Sequence, residues 1–287
     1  MSIKEKLLRN KKAVLPLIAV LAVIILLIII FSAKAVHRKN EQKQIDAYLN
    51  QKIETYGKIN IVSDAALIDG EKNTIAGVKE AFRLGAETIT LDLCFNENDV
   101  PVICDDYDSI KKDTLKLEEV FKLLKDEKYS DLRINLRLRQ LGSLNKFNDL
   151  LKKYKMSGRV IISGINKNRY SLISGSSTAA GVFFDYVPSK NRKDALNEII
   201  ALKKEYNIAG VIISCKDITQ ELVETLNQRG ITFIIGKTDT ELDMYAVLSS
   251  GANNIETSAP EKLKDVYSLW KERTRDSVNK SVLNKLQ

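Results

Sequence analysis

Between Ile59 and Glu256 the chain repeats one pattern, a short β-rich apolar run followed by a stretch with apolar residues three and four apart. The strand-like runs are Ile59–Val62, Thr88–Leu93, Val100–Cys104, Leu132–Leu138, Val160–Ser163, Gly181–Asp185, Gly210–Ser214, Thr232–Gly236 and Asn254–Glu256. The helical stretches are Thr74–Leu84, Leu117–Lys125, Leu144–Lys155, Arg192–Tyr206, Thr219–Arg229, Glu241–Ser250 and Pro260–Arg273. Repeated strand-then-helix order requires parallel strands, because a tight turn cannot join parallel neighbours and a helical crossover can. Eight or nine such strands within residues 58–275 predict an α/β fold, a closed TIM-type (β/α)8 barrel. One step breaks the rhythm: Phe95–Asp99 is too short for a crossover helix, so Thr88–Leu93 and Val100–Cys104 should form a hairpin that adds one extra strand. Gly85, Gly230 and Gly251 each follow a helical stretch where a left-handed residue ends a helix, and Asp239 or Thr240 could cap the helix after it. No Pro/Gly/Ser-rich linker divides this body.

A different signal precedes it. Ala13–Phe31 carries no charge over 19 residues, and at ~1.5 Å per residue a helix of that length reaches about 28 Å, near the thickness of a bilayer's hydrocarbon core. The expected layout is a basic N-tail (1–12), a single N-terminal transmembrane helix (13–31), a juxtamembrane stalk (32–57), the barrel (58–275) and a polar tail (276–287). The run exceeds the apolar core of a cleaved leader, which favours a retained anchor, although Ala33-Lys34-Ala35 is a small-x-small pattern that leaves cleavage open. A short basic tail before a large domain points to a single-pass protein of the cell membrane with its body outside the cytoplasm. In the stalk, Ile45, Leu49, Ile53 and Tyr56 form a narrow apolar stripe that either packs on the body or self-associates.

Charge is informative through its distribution. The formal net charge is +8, but residues 1–43 hold nine Lys or Arg and two acids, leaving 36 basic and 35 acidic residues for the rest. The excess therefore flanks the apolar run, where it suits anionic headgroups, and the near-neutral body gives no footprint for nucleic acid. Cys94, Cys104 and Cys215 have neither metal-ligand nor disulfide-framework spacing and read as buried hydrophobes. The only histidine, His37, lies beside the apolar run, so the body has none and a histidine-dependent reaction is excluded there.

Several motifs resemble the glycerophosphodiester phosphodiesterase family. Gly85-Ala86-Glu87-Thr88-Ile89-Thr90-Leu91-Asp92-Leu93 is similar to its G-A-D-x-I-E-L-D-V, and Asp99-Val100-Pro101-Val102-Ile103-Cys104-Asp105-Asp106 to its G-V-P-V-V-F-H-D. Asn73-Thr74 matches the end of P-E-N-T, and Leu117-Glu118-Glu119-Val120 matches T-L-E-E-V. Gly251 to Pro260 is similar to G-V-D-G-I-I-T-D-Y-P. The resemblance spans residues 58–270 in the family's order. It implies a TIM barrel that hydrolyses glycerophosphodiesters with a divalent metal and two histidines.

Position by position, that chemistry is missing. The family's histidines fall on Ser63 and Asp105, its metal-binding Glu on Thr90, its E-I-K Glu on Arg137, and its P-E-N-T acid on Lys72 or, displaced by one, Glu71; the Asp of E-L-D survives as Asp92. Imidazole suits acid–base work because it titrates near neutrality. A hard cation wants several carboxylate oxygens, and a guanidinium in their place repels it. No catalytic residue, metal or cofactor is therefore expected. Arg137 could pair with Asp92 and close the site, or Arg137 and Arg139, on one strand face with Asn135, could bind a phosphate-type anion. The candidate ligand-binding residues are Asp92, Asp105, Asp106, Arg137 and Arg139; Asp185, Lys216 and Lys237 are weaker candidates at strand ends. The expected function is a membrane-anchored, catalytically inactive glycerophosphodiester phosphodiesterase-like protein that binds a phosphate-containing ligand or a protein partner at the cell surface. A rewired hydrolase using Asp64, Asp105 or Asp106, and a structural or assembly protein, remain open.

Overall fold

A computed structural model describes residues 3–49, 58–64, 72–140, 142, 144–174, 180–189 and 194–286, with side chains at these except 3–21, 171–174 and 274–286. The chain divides into two units, Met1–Tyr48 and Leu49–Gln287.

In the first unit, helix α1 (Ile3–Leu49) is continuous. Its nine consecutive side chains Val23 to Phe31 are all exposed. Among the described residues no helix is long and apolar enough to cross a membrane. The first nine residues of the run Ala13–Phe31 belong to the stretch whose side chains lie outside that description. Of the stalk stripe, Ile53 and Tyr56 also lie outside the described residues, as does Glu71.

The second unit is the barrel. Its strands are β1 (Asn60–Asp64), β2 (Thr88–Phe95), β3 (Pro101–Ile103), β4 (Arg133–Leu138), β5 (Val160–Ile165), β6 (Gly181–Tyr186), β7 (Gly210–Ser214), β8 (Thr232–Gly236) and β9 (Asn254–Thr257). The order β1-β9-β8-β7-β6-β5-β4-β2 closes through a parallel β1–β2 pairing, making eight parallel strands. β3 pairs antiparallel with the end of β2, with Leu93 opposite Ile103 and Phe95 opposite Pro101. This is the extra hairpin strand that the short Phe95–Asp99 connection required.

The helices are α2 (Ile75–Arg83), α3 (Leu117–Leu123), α4 (Leu144–Tyr154), α5 (Lys167–Ser174), α6 (Ala195–Tyr206), α7 (Gln220–Gln228), α8 (Glu241–Ser249) and α9 (Pro260–Leu286). Thr74, Thr219 and Thr240 cap α2, α7 and α8 by accepting from Gly77, Leu222 and Asp243 backbone N–H groups. Gly85, Gly230 and Gly251 have φ of 94°, 62° and 82°, as their places after α2, α7 and α8 require. α9 continues to Leu286, through the segment read as a polar tail.

Alternation divides each strand's side chains between two faces. Ile89, Leu91, Leu93, Ile134, Leu136 and Leu138 are buried and form the outward, helix-facing layer. Inside, Val62, Phe183 and Ile234 form a cluster with Ile161 and Ile212. Above that apolar plug, toward the C-terminal ends of the strands, the interior becomes polar, with Thr90, Asp92, Asn135, Ser163 and Glu256 all buried. This end is where barrels of this kind carry their sites.

Candidate functional site

Asp92, on the inner face of β2, is the centre of the polar end and is 1 % exposed. Its Oδ1 accepts from Arg137 Nε at 2.7 Å and from Arg139 Nε at 2.8 Å. Arg137 lies on β4 in register with Asp92, and Arg139 follows the strand directly, its N–H bonded to the Leu93 carbonyl, so the two-residue spacing carries it to the same face. Arg137 Nη2 also donates to Asp64 Oδ1 at 2.8 Å, tying β1 to β4 across β2. The expected Arg137–Asp92 pair thus forms, and it recruits a second carboxylate and a second guanidinium. Burial pushes the Asp92 carboxyl up, but Arg137 and Arg139 outweigh that and hold it below the usual carboxylate range. Burial alone would lower Arg137, and Asp92 and Asp64 reverse that and raise it.

Asn73 completes the cluster. It adopts a left-handed backbone, φ 59°, which asparagine tolerates, and it is buried. Its Oδ1 accepts from the Asp92 backbone N–H at 3.0 Å, while its Nδ2 donates to Asp92 Oδ2 at 3.3 Å and to Asp105 Oδ1 at 2.6 Å. Asp105 is exposed and reaches the cluster only through Asn73; it borders a cavity of about 520 Å³ shared with Lys72, Asn73 and Thr114, whose lining includes neither arginine. Asp106 does not join: its Oδ1 accepts from the Ser109 backbone N–H at 2.9 Å and shapes a surface turn. Ser63 is buried on the face opposite Asp64 and borders a separate cavity of about 380 Å³ with Ala81 and Pro260. Lys216 sits in a 3-10 turn after β7 and Lys237 at a left-handed position after β8; no bond ties either side chain to the cluster.

Asp185, at the end of β6, does belong to the mouth. It is exposed, yet protein crowds it from the barrel side, and that desolvation raises its pKa; the Gly164 N–H at 3.3 Å and the nearby Arg137, Arg169 and Arg139 act against it. Arg169 fixes the rim differently, donating to the carbonyls of Leu138, Gly164 and Arg139 at 2.9, 2.7 and 2.8 Å. The rim is tight at Gly164, whose φ is 75°, where an added Cβ would lie 2.7 Å from the Leu138 carbonyl oxygen and 2.9 Å from the Leu138 nitrogen. Gly164→Ala should therefore cost about 2–4 kcal/mol, read as a lowered denaturant midpoint; a change under about 0.5 kcal/mol would show that β5 relaxes there freely.

The principal residue that sequence reasoning missed is Glu256. It is 5 % exposed on the inner face of β9, and its Oε1 accepts from Thr90 Oγ1 at 2.6 Å, while Thr90 accepts from Asn135 Nδ2 at 3.0 Å. Burial is the main cause of its raised pKa, with Asp64 adding to it, and the carboxyl is pushed up to about 7. A carboxylate has thus returned beside Thr90 from another strand. The available signal was an acidic residue in an apolar strand, on the alternation that faces inward.

A divalent cation does not fit this donor set. Both Asp92 oxygens are engaged by Arg137, Arg139 and Asn73, and a guanidinium stands within bonding distance of Asp64 as well. Among the described residues no group of three His, Cys, Asp or Glu is disposed to hold a metal.

No protein-family model matches the chain, and no curated protein matches it by sequence. Solved structures do match by shape. A glycerophosphodiester phosphodiesterase from Parabacteroides distasonis is 18 % identical with a TM-score of 0.57, covering 74 % of this chain and 98 % of that one. One from Agrobacterium tumefaciens is 16 % identical with a TM-score of 0.58, covering 73 % and 99 %. An Oleispira antarctica phosphodiesterase, solved with its product sn-glycerol-3-phosphate, is 14 % identical with a TM-score of 0.57, covering 73 % and 96 %. With a TIM barrel and one extra strand that match 96–99 % of the length of these structures, this chain has the fold of the glycerophosphodiester phosphodiesterases.

Proposed function

We propose that this protein is a membrane-anchored barrel with the phosphodiesterase fold that does not hydrolyse glycerophosphodiesters and instead binds a phosphate-bearing anion at the mouth formed by Arg137 and Arg139. The observation that carries the reading is the Arg137 guanidinium bonded to both Asp64 and Asp92. It supplies, as a tethered cation, the charge that an added metal would otherwise bring to those carboxylates. With no histidine in the body, no imidazole can activate water or protonate a leaving oxygen. Asp105, the candidate substitute base, is exposed and accepts a hydrogen bond from Asn73.

Arg139 is the group open to a ligand. Its side chain is 42 % exposed, against 22 % for Arg137, and Arg169 secures its backbone. A phosphate at the mouth would meet Arg139 first and Arg137 behind it. The anchor rests on the uncharged run Ala13–Phe31 between basic flanks and on the exposed apolar side chains of α1 from Val23 to Phe31. The body then lies on the extracytoplasmic side.

The purified full-length protein, in non-ionic detergent with magnesium, manganese or calcium, should release no glycerol phosphate from glycerophosphoglycerol. It should, however, show binding of that compound as chemical-shift changes at the Arg139 guanidinium. Turnover abolished by Asp105→Asn would establish the rewired hydrolase instead. In cells the protein should stay in the membrane fraction through alkaline carbonate washing, and removal of residues 13–31 should release it.

A further inference from the structure

The mouth holds more acids than the arginines can neutralise. Asp64 on β1, Asp92 on β2, Asp185 on β6 and Glu256 on β9 gather around Arg137 of β4 and Arg139 just after it, with Arg169 near Asp185, so four acids face three arginines. An incoming anion would enter this excess of negative charge, and at close range in a partly dry site that repulsion is large. Loss of charge on one of the four acids would relieve it, and Asp185, exposed at the rim, is the one whose charge water screens best. Asp92 and Asp64 are each bonded to the Arg137 guanidinium, which holds the charge of that cluster in place. Glu256 can lose its charge, because it has no guanidinium bonded to it: its partner is the Thr90 hydroxyl, and β8 beside it offers only Gly236, where an added Cβ would lie 3.1 Å from Glu256 Oε2. The charged groups facing Glu256 are Asp64 from β1, Asp185 from β6 and Arg137 from β4, so acids outnumber bases around it too.

We propose that an anion bound at Arg137 and Arg139 is accompanied by a proton taken up on Glu256, which makes ligand affinity at this mouth pH-dependent. The inference rests on the anion-binding reading above. The proton comes from solvent and adds to a carboxylate oxygen of Glu256; only that O–H bond forms, and the Thr90 hydroxyl can accept it as readily as it now donates. The buried, acid-flanked carboxyl already titrates near neutrality, so the coupling falls between pH 6 and 8. By reciprocity, the anion must raise the proton affinity of Glu256 by the same factor as the proton raises that of the anion.

The test uses full-length protein in non-ionic detergent and glycerophosphoglycerol, a diester whose single charge does not change in this range. Calorimetry at pH 6, 7 and 8 in two buffers of different ionisation enthalpy reads affinity and proton uptake together. Affinity should fall on the order of tenfold from pH 6 to pH 8, with net proton uptake at pH 8. Glu256→Gln should bind equally at all three values, without proton uptake. Binding that does not vary with pH, or variation that survives in Glu256→Gln, overturns the inference while leaving the anion site standing. Absence of binding at every pH sinks the anion site itself. Independently of ligand, the Glu256 carboxyl carbon followed by NMR in the unsubstituted protein should titrate near neutrality; an ordinary carboxylate midpoint overturns the inference even if Glu256→Gln fails to fold.

Discussion

Replacing Asp92 by alanine is expected to destabilise the barrel by about 3 kcal/mol, a fall in melting temperature of roughly 6–12 °C for a domain of this size. Asp92 is almost fully buried and pairs with two guanidiniums at once, Arg137 and Arg139. Its loss leaves Arg137, itself only 22 % exposed, with Asp64 as its remaining carboxylate partner. Arg139 can turn to water, which places the cost at the lower end for a broken buried pair. That cost lies in the stranded charge rather than in the worth of the pair. The double variant Asp92→Leu/Arg137→Met, which removes both buried ions, should therefore recover more than half of the loss. If the double variant is as unstable as Asp92→Ala, packing at β2 and not charge governs the site. Acid gives a second check: the Asp92 carboxyl is held low, so its contribution is present above the ordinary carboxylate range and is lost as pH falls through its lowered value.

Glu256→Gln is expected to do the reverse. The Glu256 carboxyl is pushed from 4.5 to about 7 in the folded chain. Below pH 4.5 the group is protonated folded and unfolded and contributes nothing to the balance. Between 4.5 and 7 the folded state keeps a proton that the unfolded state has released, so stability falls as pH rises, and above 7 the full penalty of a buried carboxylate is present. That penalty is on the order of 3 kcal/mol. Glutamine has the same shape and can still accept from Thr90, so it removes the charge with little else. The variant should match the natural protein near pH 4.5 and exceed it in unfolding free energy by a few kcal/mol at pH 8. Equal stability of the two at pH 8 would mean that Glu256 is solvated or paired in a way its surroundings do not show.

Both expectations depend on residues that the sequence presented unequally. Asp92 stood out inside a motif, and strand alternation alone sets Arg137 and Arg139 on one face. Glu256 lies in the Gly251–Pro260 stretch, but at a motif position that is apolar in the family, so the resemblance attached no role to it. Its partner Thr90 lies 166 residues away in the chain, and only closure of the sheet, with β9 seated against β1 and β1 against β2, brings them together. Asn73 was legible as part of a motif but not as the link between Asp92 and Asp105, since that role follows from its left-handed backbone. Asp106 illustrates the opposite case: adjacent to Asp105 in sequence, it turns away and ends in a surface turn.

The secondary structure divides in the same way. Amphipathic stretches such as α2 and α4 showed their apolar stripe in the sequence and formed within a residue or two of the expected ends. α5, Lys167–Ser174, is short and has no such stripe, so periodicity gave no sign of it. Taken alone, the sequence determined the strand–helix alternation, hence a barrel with one added hairpin strand, and the absence of imidazole from its body, because local patterning and residue identity need no partner to be read. Which carboxylates meet which guanidiniums, and that Glu256 stands buried among acids beside Thr90, was decided only by the tertiary structure, because those contacts arise between strands far apart in the chain when the barrel closes.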